Sequence, residues 1–490
     1  MKGVRGLLVV VVVGAMAALV VLGGDGSGPG PAALGRPAVP AAPGDGTVSG
    51  TWYCVAGTDG RAQPPVHEVL VTNPTPRPVT VTLTAYGASG PRPPVSLEVP
   101  AAAPSVVDVG STFGEAGLSV MVESPSGSVA VAHRLTSGGA GDQASCATST
   151  SDDWWFPALA TSRGASSVLT LFNPFASDAG VDISVVLDSG VRTPSELTGV
   201  VVPAGTVKVL DLAQSVQRRD QFAVQVASRS GRVLAEATQG FDGSTGPVGL
   251  RLELGVAAPG PEWAFAAGFT GAGVTEQVVV VNPGERPTRV EVQVTSFGGV
   301  DNAPEPITLD IAPFRYAVVD LSAEGRVSGT GYHSIVVRSL GAGVVAARLT
   351  AVTGPPAAAP EPGAAVRPAV TSGVAVGTGS SVAAGRWIVP AVDAGADPAP
   401  VVFVHNPGRG IALVSTTPVG GDGTSSEVEV PPGDSVAISV PGPAGGAVTG
   451  VELTSMTPVV VEQLVTFGAT DLAFGLAIPA RSRAGVVDLG

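Results

Sequence analysis

VVVVNPGERPTRVEVQV, Val278 to Val294, is the stretch on which the reading of the fold turns. An unbroken apolar run stops at Asn282-Pro283-Gly284. Strict alternation follows, with Val290, Val292 and Val294 on one side and Arg289, Glu291 and Gln293 on the other. A period of two marks a half-buried strand. Asn bonds its own backbone in turns, Pro fixes φ and ends the first strand, and Gly permits a left-handed conformation. The stretch therefore predicts two strands joined by a hairpin turn.

The same figure recurs at Asn73 (VLVTNPTPRPVTVTL), Asn173 (LTLFNPFASDAGVDISVVL) and Asn406 (VVFVHNPGRGIALVS). Each copy opens with tryptophan: Trp52, the pair Trp154 and Trp155, Trp263 and Trp387. From Trp154, Trp263 and Trp387 the following Asn lies 19 residues on, and from Trp52 it lies 21. Downstream, LEVPAAAPSVVDVG, VVVPAGTVKVLDLA, ITLDIAPFRYAVVDLS and VEVPPGDSVAISVP each give a strand, a Pro-containing turn and a strand. The next block, SVMVESPSGSVAVAHRLT in the first copy, reads as a further hairpin, and a closing strand follows in GLRLELGVAAP and DLAFGLAIPA.

Seven or eight short strands in roughly 100 residues, with turn signals between them, fit a two-sheet antiparallel sandwich. The expected architecture is all-β: four tandem immunoglobulin-like sandwich repeats after an N-terminal membrane helix. A β-propeller is the alternative, disfavoured because its blades repeat every 40–50 residues or so. The boundaries fall at 1–24 (signal-anchor helix), 25–48 (Gly/Pro/Ala linker), 49–150, 151–258 and 259–353 (repeats one to three), 354–382 (Pro/Ala/Gly linker) and 383–490 (repeat four). Gly and Pro, 67 and 44 residues, punctuate a chain whose apolar content is mostly Val, Ala and Leu, as a turn-rich β protein requires.

Lys2 and Arg5 precede an apolar run from Gly6 to Leu22, the pattern of an export signal. It is long for a cleaved signal and short for a membrane span, so an anchor and a secreted form both stand as readings. The basic start keeps that end cytoplasmic and sends the remainder out. Outside the cytoplasm, Cys54 and Cys146, the two cysteines of the chain, are expected to form a disulfide. The formal charge of −14 with only two lysines, Lys2 and Lys208, leaves no basic stripe for phosphates and excludes nucleic-acid binding.

The Trp opener, the Asn-Pro figure, the Val-Pro-Ala-Gly turn and the Trp52-Tyr53-Cys54 start resemble repeats of secreted actinobacterial proteins belonging to a family of unknown function. The resemblance covers nearly all of the chain after residue 48. It implies an envelope or secreted β-repeat protein and brings no catalytic residues.

No GxSxG elbow or phosphate loop occurs, and His67-Glu68 lacks the second histidine of a zinc-protease motif. His67, His133, His333 and His405 sit at non-equivalent places in the copies, as surface or internally satisfied residues would. Asp108, Asp211 and Asp320 end strands and are expected to cap the turns that follow. On an alternating strand Trp155 points opposite Trp154, which makes Trp155 the one candidate ligand contact. No catalytic residue, cofactor or metal site is expected. The function read from these features is a non-catalytic, membrane-tethered envelope scaffold or interaction module. Its partners would be the membrane through the N-terminal helix, other envelope proteins or wall glycans. A glycan- or peptidoglycan-binding array is the alternative, and a cryptic hydrolase has no residue in its favour.

Overall fold

The computed structural model describes residues 40, 49–56, 64–125, 129–327, 331–354, 370–393, 400–420, 424–440, 448–480 and 486–489. The described residues all belong to one compact unit, residues 37–490. The expected signal-anchor helix lies outside the described residues, as does the first linker apart from Pro40. Among the described residues no helix is long and apolar enough to cross a membrane.

The first repeat shows the plan. Its strands are β1 (Gly50–Cys54), β2 (Val66–Asn73), β3 (Val79–Gly87), β4 (Gly90–Pro91), β5 (Val95–Val99), β6 (Ala103–Asp108), β7 (Ser119–Ser124), β8 (Ala130–Ser137) and β9 (Ala140–Ser145). One antiparallel sheet runs β1-β7-β3-β4, with β5 also on β3; the other runs β6-β2-β8-β9. The second repeat reproduces both orders, and the third does so without a counterpart of β4. In the fourth, the 20-residue strand Val448–Phe467 serves both sheets in place of separate seventh and eighth strands.

Three expectations need correction. The immunoglobulin order would group the first, second, fourth and fifth strands in one sheet. Here β1, β7, β3 and β5 share a sheet while β8 pairs with β2, so the repeat is a sandwich of a different weave. Secondly, the Asn-Pro turn is not a hairpin: β2 and β3 lie in opposite sheets, and the chain arches across the core between them. The passages β5–β6 and β7–β8 cross in the same way, because alternation says which face is buried but not which strand is the hydrogen-bonded neighbour. Thirdly, Ser372–Thr378, inside the expected second linker, is the closing strand of the third repeat and pairs with Val345–Thr353. Of that linker, 355–369 lie outside the described residues.

Asn73, Asn173, Asn282 and Asn406 are fully buried and make one pattern of bonds four times. In Asn282, Oδ1 accepts the Gly284 N–H at 2.9 Å, while Nδ2 donates to the carbonyls of Arg286 at 2.8 Å and Ile311 at 3.0 Å. Ile311 ends a strand of the opposite sheet, so one amide closes the arch and ties the two sheets together. Asp108, Asp211 and Asp320 cap as expected, accepting N–H bonds from Ser111, Ala213 and Ser322.

The repeats close on one another. Residues of β1, β3 and β7 in repeat one pack on the second repeat, with Tyr53 and Tyr86 against Phe172. Trp155, Val186 and Ala223 of the second repeat enter the core of the third. Ala264 and Phe269 of the third meet Phe403 and Phe474 of the fourth. Ile388 and Ile478 of the fourth complete the core of the first. The sheets of the four repeats thus stack on one another in a closed circuit. The second strand of each repeat is covered on both faces, which is why Val278–Val281 is apolar throughout: Val278 and Val280 join their own core, and Val279 meets Ala158 of the preceding repeat.

A candidate binding site on the ring axis

The closing strand of each repeat is the innermost. β9 and its counterparts Val248–Leu254, Ser372–Thr378 and Asp471–Leu476 lie side by side around the axis of the ring. Their register against the preceding strand, counted from the four buried asparagines, makes Gly141, Leu250, Val374 and Leu472 equivalent residues.

All four of those backbone N–H groups donate to one carboxylate. Asp471 Oδ2 accepts from Leu250 at 2.8 Å and Gly141 at 3.1 Å; Oδ1 accepts from Leu472 at 2.9 Å and Val374 at 3.0 Å. At the position of Asp471 the other repeats carry Ala140, Gly249 and Gly373, small enough to leave it room. A Cβ on Gly249 or Gly373 would stand 3.2 or 3.1 Å from Oδ1. Burial pushes the Asp471 carboxyl up to about 7 against the pull of its four donors. Two residues along β9, Asp142 repeats the device and accepts the Leu252 N–H at 2.7 Å. Open strand edges are unsatisfied ladders of N–H and C=O groups, and these carboxylates close them at one end of the axis.

The other end is open. Beyond Asp142 the four strands border a small pocket lined by Gln143, Ser145, Glu253, Thr378 and Leu476, with Pro40 beside them. The residues equivalent to Glu253 are Ala144, Gly377 and Gly475, so one position of four carries an acid and three carry next to no side chain. Glu253 is 5% exposed and neither carboxylate oxygen has a hydrogen-bond partner among the described residues. The same holds for both ends of the Gln143 amide. Burial drives the Glu253 carboxyl up to about 8, with Arg251 opposing the shift. Arg251 itself turns to the Gln239 Oε1 at 2.8 Å.

Two buried acid–base contacts join neighbouring repeats at equivalent positions. His133 Nε2 faces Glu236 Oε2 at 3.1 Å between the first and second, and Arg348 Nη1 donates to Glu462 Oε2 at 3.1 Å between the third and fourth. Arg348 also lies over the Phe474 ring, 4.1 Å from its centre. His67 continues the first contact, its Nε2 3.2 Å from His133 Nδ1 and its Nδ1 on the Leu118 carbonyl. Burial lowers both histidines to about 3 and raises Glu236, so the chain is held neutral. His333 meets Glu276 at 2.6 Å and His405 meets Ser435 at 3.0 Å. All four histidines are buried, and His67 and His133 meet rather than standing apart.

Cys54 and Cys146 are joined by a disulfide. It fastens β1 to the residue after β9, beside the Tyr53–Ala147 bridge, and so ties the two sheets of the first repeat. Trp155 does not offer the exposed ring expected of a ligand contact. It is 4% exposed, packed against the third repeat, because the strand face opposite Trp154 is an inter-repeat face rather than solvent. Trp154, Trp263 and Trp387 are core residues whose Nε1 donates to the equivalent carbonyls of Val233, Val344 and Val459. Among the described residues no group of three or more His, Cys, Asp or Glu side chains is placed to hold a metal ion. The axial residues Asp142, Gln143, Glu253 and Asp471 were not singled out from the sequence. Their signal is a charged or amide side chain within a short closing strand, as in GDQ, LRLEL and TDLAF.

A family of unknown function, DUF5719, matches residues 131–249, from β8 to the closing strand of the second repeat. No functionally curated protein matches the chain. Among solved structures, Thermotoga maritima 1070 is similar at 14% identity over 25% of this chain and 93% of that one, with a TM-score of 0.19. A Streptomyces avermitilis alpha-L-rhamnosidase complexed with L-rhamnose is similar at 10% identity over 72% of this chain and 44% of that one, TM-score 0.14. A tetra-tandem repeat in the extending region of a large adhesion protein is similar at 12% identity over 88% and 99%, TM-score 0.10.

Proposed function

We propose that the chain is a non-catalytic interaction module of the cell envelope, a ring of β-sandwich repeats carried outside the cytoplasm and tethered by its N-terminal apolar run. The observation that carries this reading is the axial pocket. Four repeats build it from backbone and inert side chains, and its charged group is placed to bind rather than to react. The disulfide supports an oxidising compartment. The basic start and the Gly6–Leu22 run support export. The stacking platform that would favour a glycan array is not supplied by Trp155, which is buried.

The test has two arms. The purified full chain is incubated with envelope fractions, and a saturable, identifiable component is expected on it. Capture of nothing, or turnover of any wall substrate, overturns the reading. For location, Met456 is 88% exposed; Met456→Cys is expected to react with a membrane-impermeant thiol reagent in intact cells. Labelling only after lysis overturns the placement.

A further inference from the structure

We propose that the axial pocket binds an organic cation, a primary ammonium or guanidinium group, with Glu253 as counter-charge and the Gln143 amide as a second polar contact. The inference rests on the reading of the ring as a binding module and names the chemistry of what it binds.

The two ends of the axis carry the same device in two states. At the closed end Asp471 is the one acidic side chain among Ala140, Gly249 and Gly373, and four N–H donors converge on it. At the open end Glu253 is the one acidic side chain among Ala144, Gly377 and Gly475, and no donor among the described residues reaches it. A buried carboxylate without donors is costly, and its cost falls when a partner supplies them. Ala144, Gly377 and Gly475 border the pocket with no side chain beyond Cβ, and the pocket is not enclosed, so the donors can arrive from solvent.

The charge of the partner follows from the groups facing Glu253. Arg251 is the cation beside it, and it turns one nitrogen, Nη1, to Gln239 and the Ala158 carbonyl. Asp142 and Asp471 lie further along the same axis, and Arg348 is neutralised by Glu462. Asp142, Glu253 and Asp471 thus share Arg251 as their cation, three acids to one base, which leaves the axis short of positive charge. A net charge of −14 over the whole chain attracts cations at longer range. The apolar border of Leu254, Val256 and Leu476 suits the carbon stem of a basic side chain. A bound ammonium stabilises the ionised carboxylate, so Glu253 gives up its proton to solvent on binding. Affinity therefore rises with pH until the carboxylate is already ionised in the free protein.

Saturation-transfer NMR on the full chain with n-butylammonium, competed by ethylguanidinium, tests this directly; n-butanol is the uncharged control. Saturable transfer to n-butylammonium is expected, at least tenfold weaker in Glu253→Gln and unchanged in Glu427→Gln on the surface. It is expected to strengthen between pH 6 and 8. Gly377→Val, which narrows the pocket and leaves the carboxylate in place, is expected to abolish transfer even where Glu253→Gln folds poorly. Absence of transfer in the folded wild type, equal transfer to n-butanol, or transfer that survives Gly377→Val overturns the proposal. If the cation fails to bind while envelope capture persists, the pocket assignment falls and the interaction-module reading stands.

Discussion

The Asp471 carboxylate, in the last repeat, accepts the backbone N–H of Leu250, in the second, at 2.8 Å across 221 residues of sequence. The bond is one of four from equivalent N–H groups, so a single side chain holds the inner edges of all four repeats together. A ring of this kind has no terminal cap to protect; its weak point is the axis, and the axis is where the buried polar groups collect.

Asp471→Asn removes half of that arrangement. An amide keeps one acceptor oxygen, but its NH2 group faces two N–H donors that then have no acceptor. Orphaned buried donors cost about 1–3 kcal/mol each, so a loss of about 3–5 kcal/mol is expected. Urea denaturation would show it as a lower midpoint, with a second transition where one repeat leaves the ring first. An unchanged midpoint would mean that the axis is held by apolar packing alone.

Acid acts on the histidines with a definite sign. His67 and His133 titrate at about 3 in the fold, against an ordinary value of 6.5. The unfolded chain therefore binds protons that the folded chain refuses. Their contribution to stability is present above pH 6.5 and is lost as the pH falls from there to about 3. The paired variant His67→Leu/His133→Leu is expected to show a shallower loss of thermal midpoint over that window than the wild type. Parallel pH profiles for the two proteins would contradict the buried neutral chain.

Glu253 works in the opposite direction. Its carboxyl is raised from 4.5 to about 8, so the folded state holds the proton where the unfolded state releases it. Stability is full below pH 4.5 and declines as the pH rises to about 8. Glu253→Gln removes this dependence. Its midpoint relative to wild type is expected to climb between pH 5 and 8, by the equivalent of a few kcal/mol at most. A constant difference across that range would place Glu253 in contact with solvent.

Much of the repeat was legible because its devices are local. The Trp-to-Asn spacing, the alternating strand after each Asn-Pro and the capping aspartates read directly as strands and turns. What did not read was which strand pairs with which. The Asn-Pro turn looks the same in sequence whether β2 and β3 share a sheet or face each other across the core. The unbroken run Val278–Val281 carried the missing clue, since four consecutive buried residues need cover on both faces. The inner strand Ser372–Thr378 was hidden by its setting, seven residues at the edge of a Pro/Ala/Gly segment. Trp155 is buried for the related reason that a residue opposite the core faces water in an isolated sandwich, whereas in a closed ring it faces the next repeat. The axial site depends on differences between equivalent positions, such as Glu253 against Ala144, Gly377 and Gly475. Those equivalences become visible only when the closing strands are in register.

The buried asparagines give the sharpest test of the arch. Asn282 both accepts from Gly284 and donates to carbonyls in the turn and in the opposite sheet. Asn282→Ala loses all of these and leaves the carbonyls of Arg286 and Ile311 without donors, at an expected cost of about 2–4 kcal/mol. Asn282→Asp separates the two halves of the role. The carboxylate can still accept from Gly284 and so preserve an ordinary turn, but its second oxygen is set against two carbonyl oxygens. If Asn282 served only the local turn, Asp would be tolerated within about 0.5 kcal/mol. If it ties the sheets together, Asp is expected to be at least as damaging as Ala, and the thermal midpoints of the two variants decide between these cases.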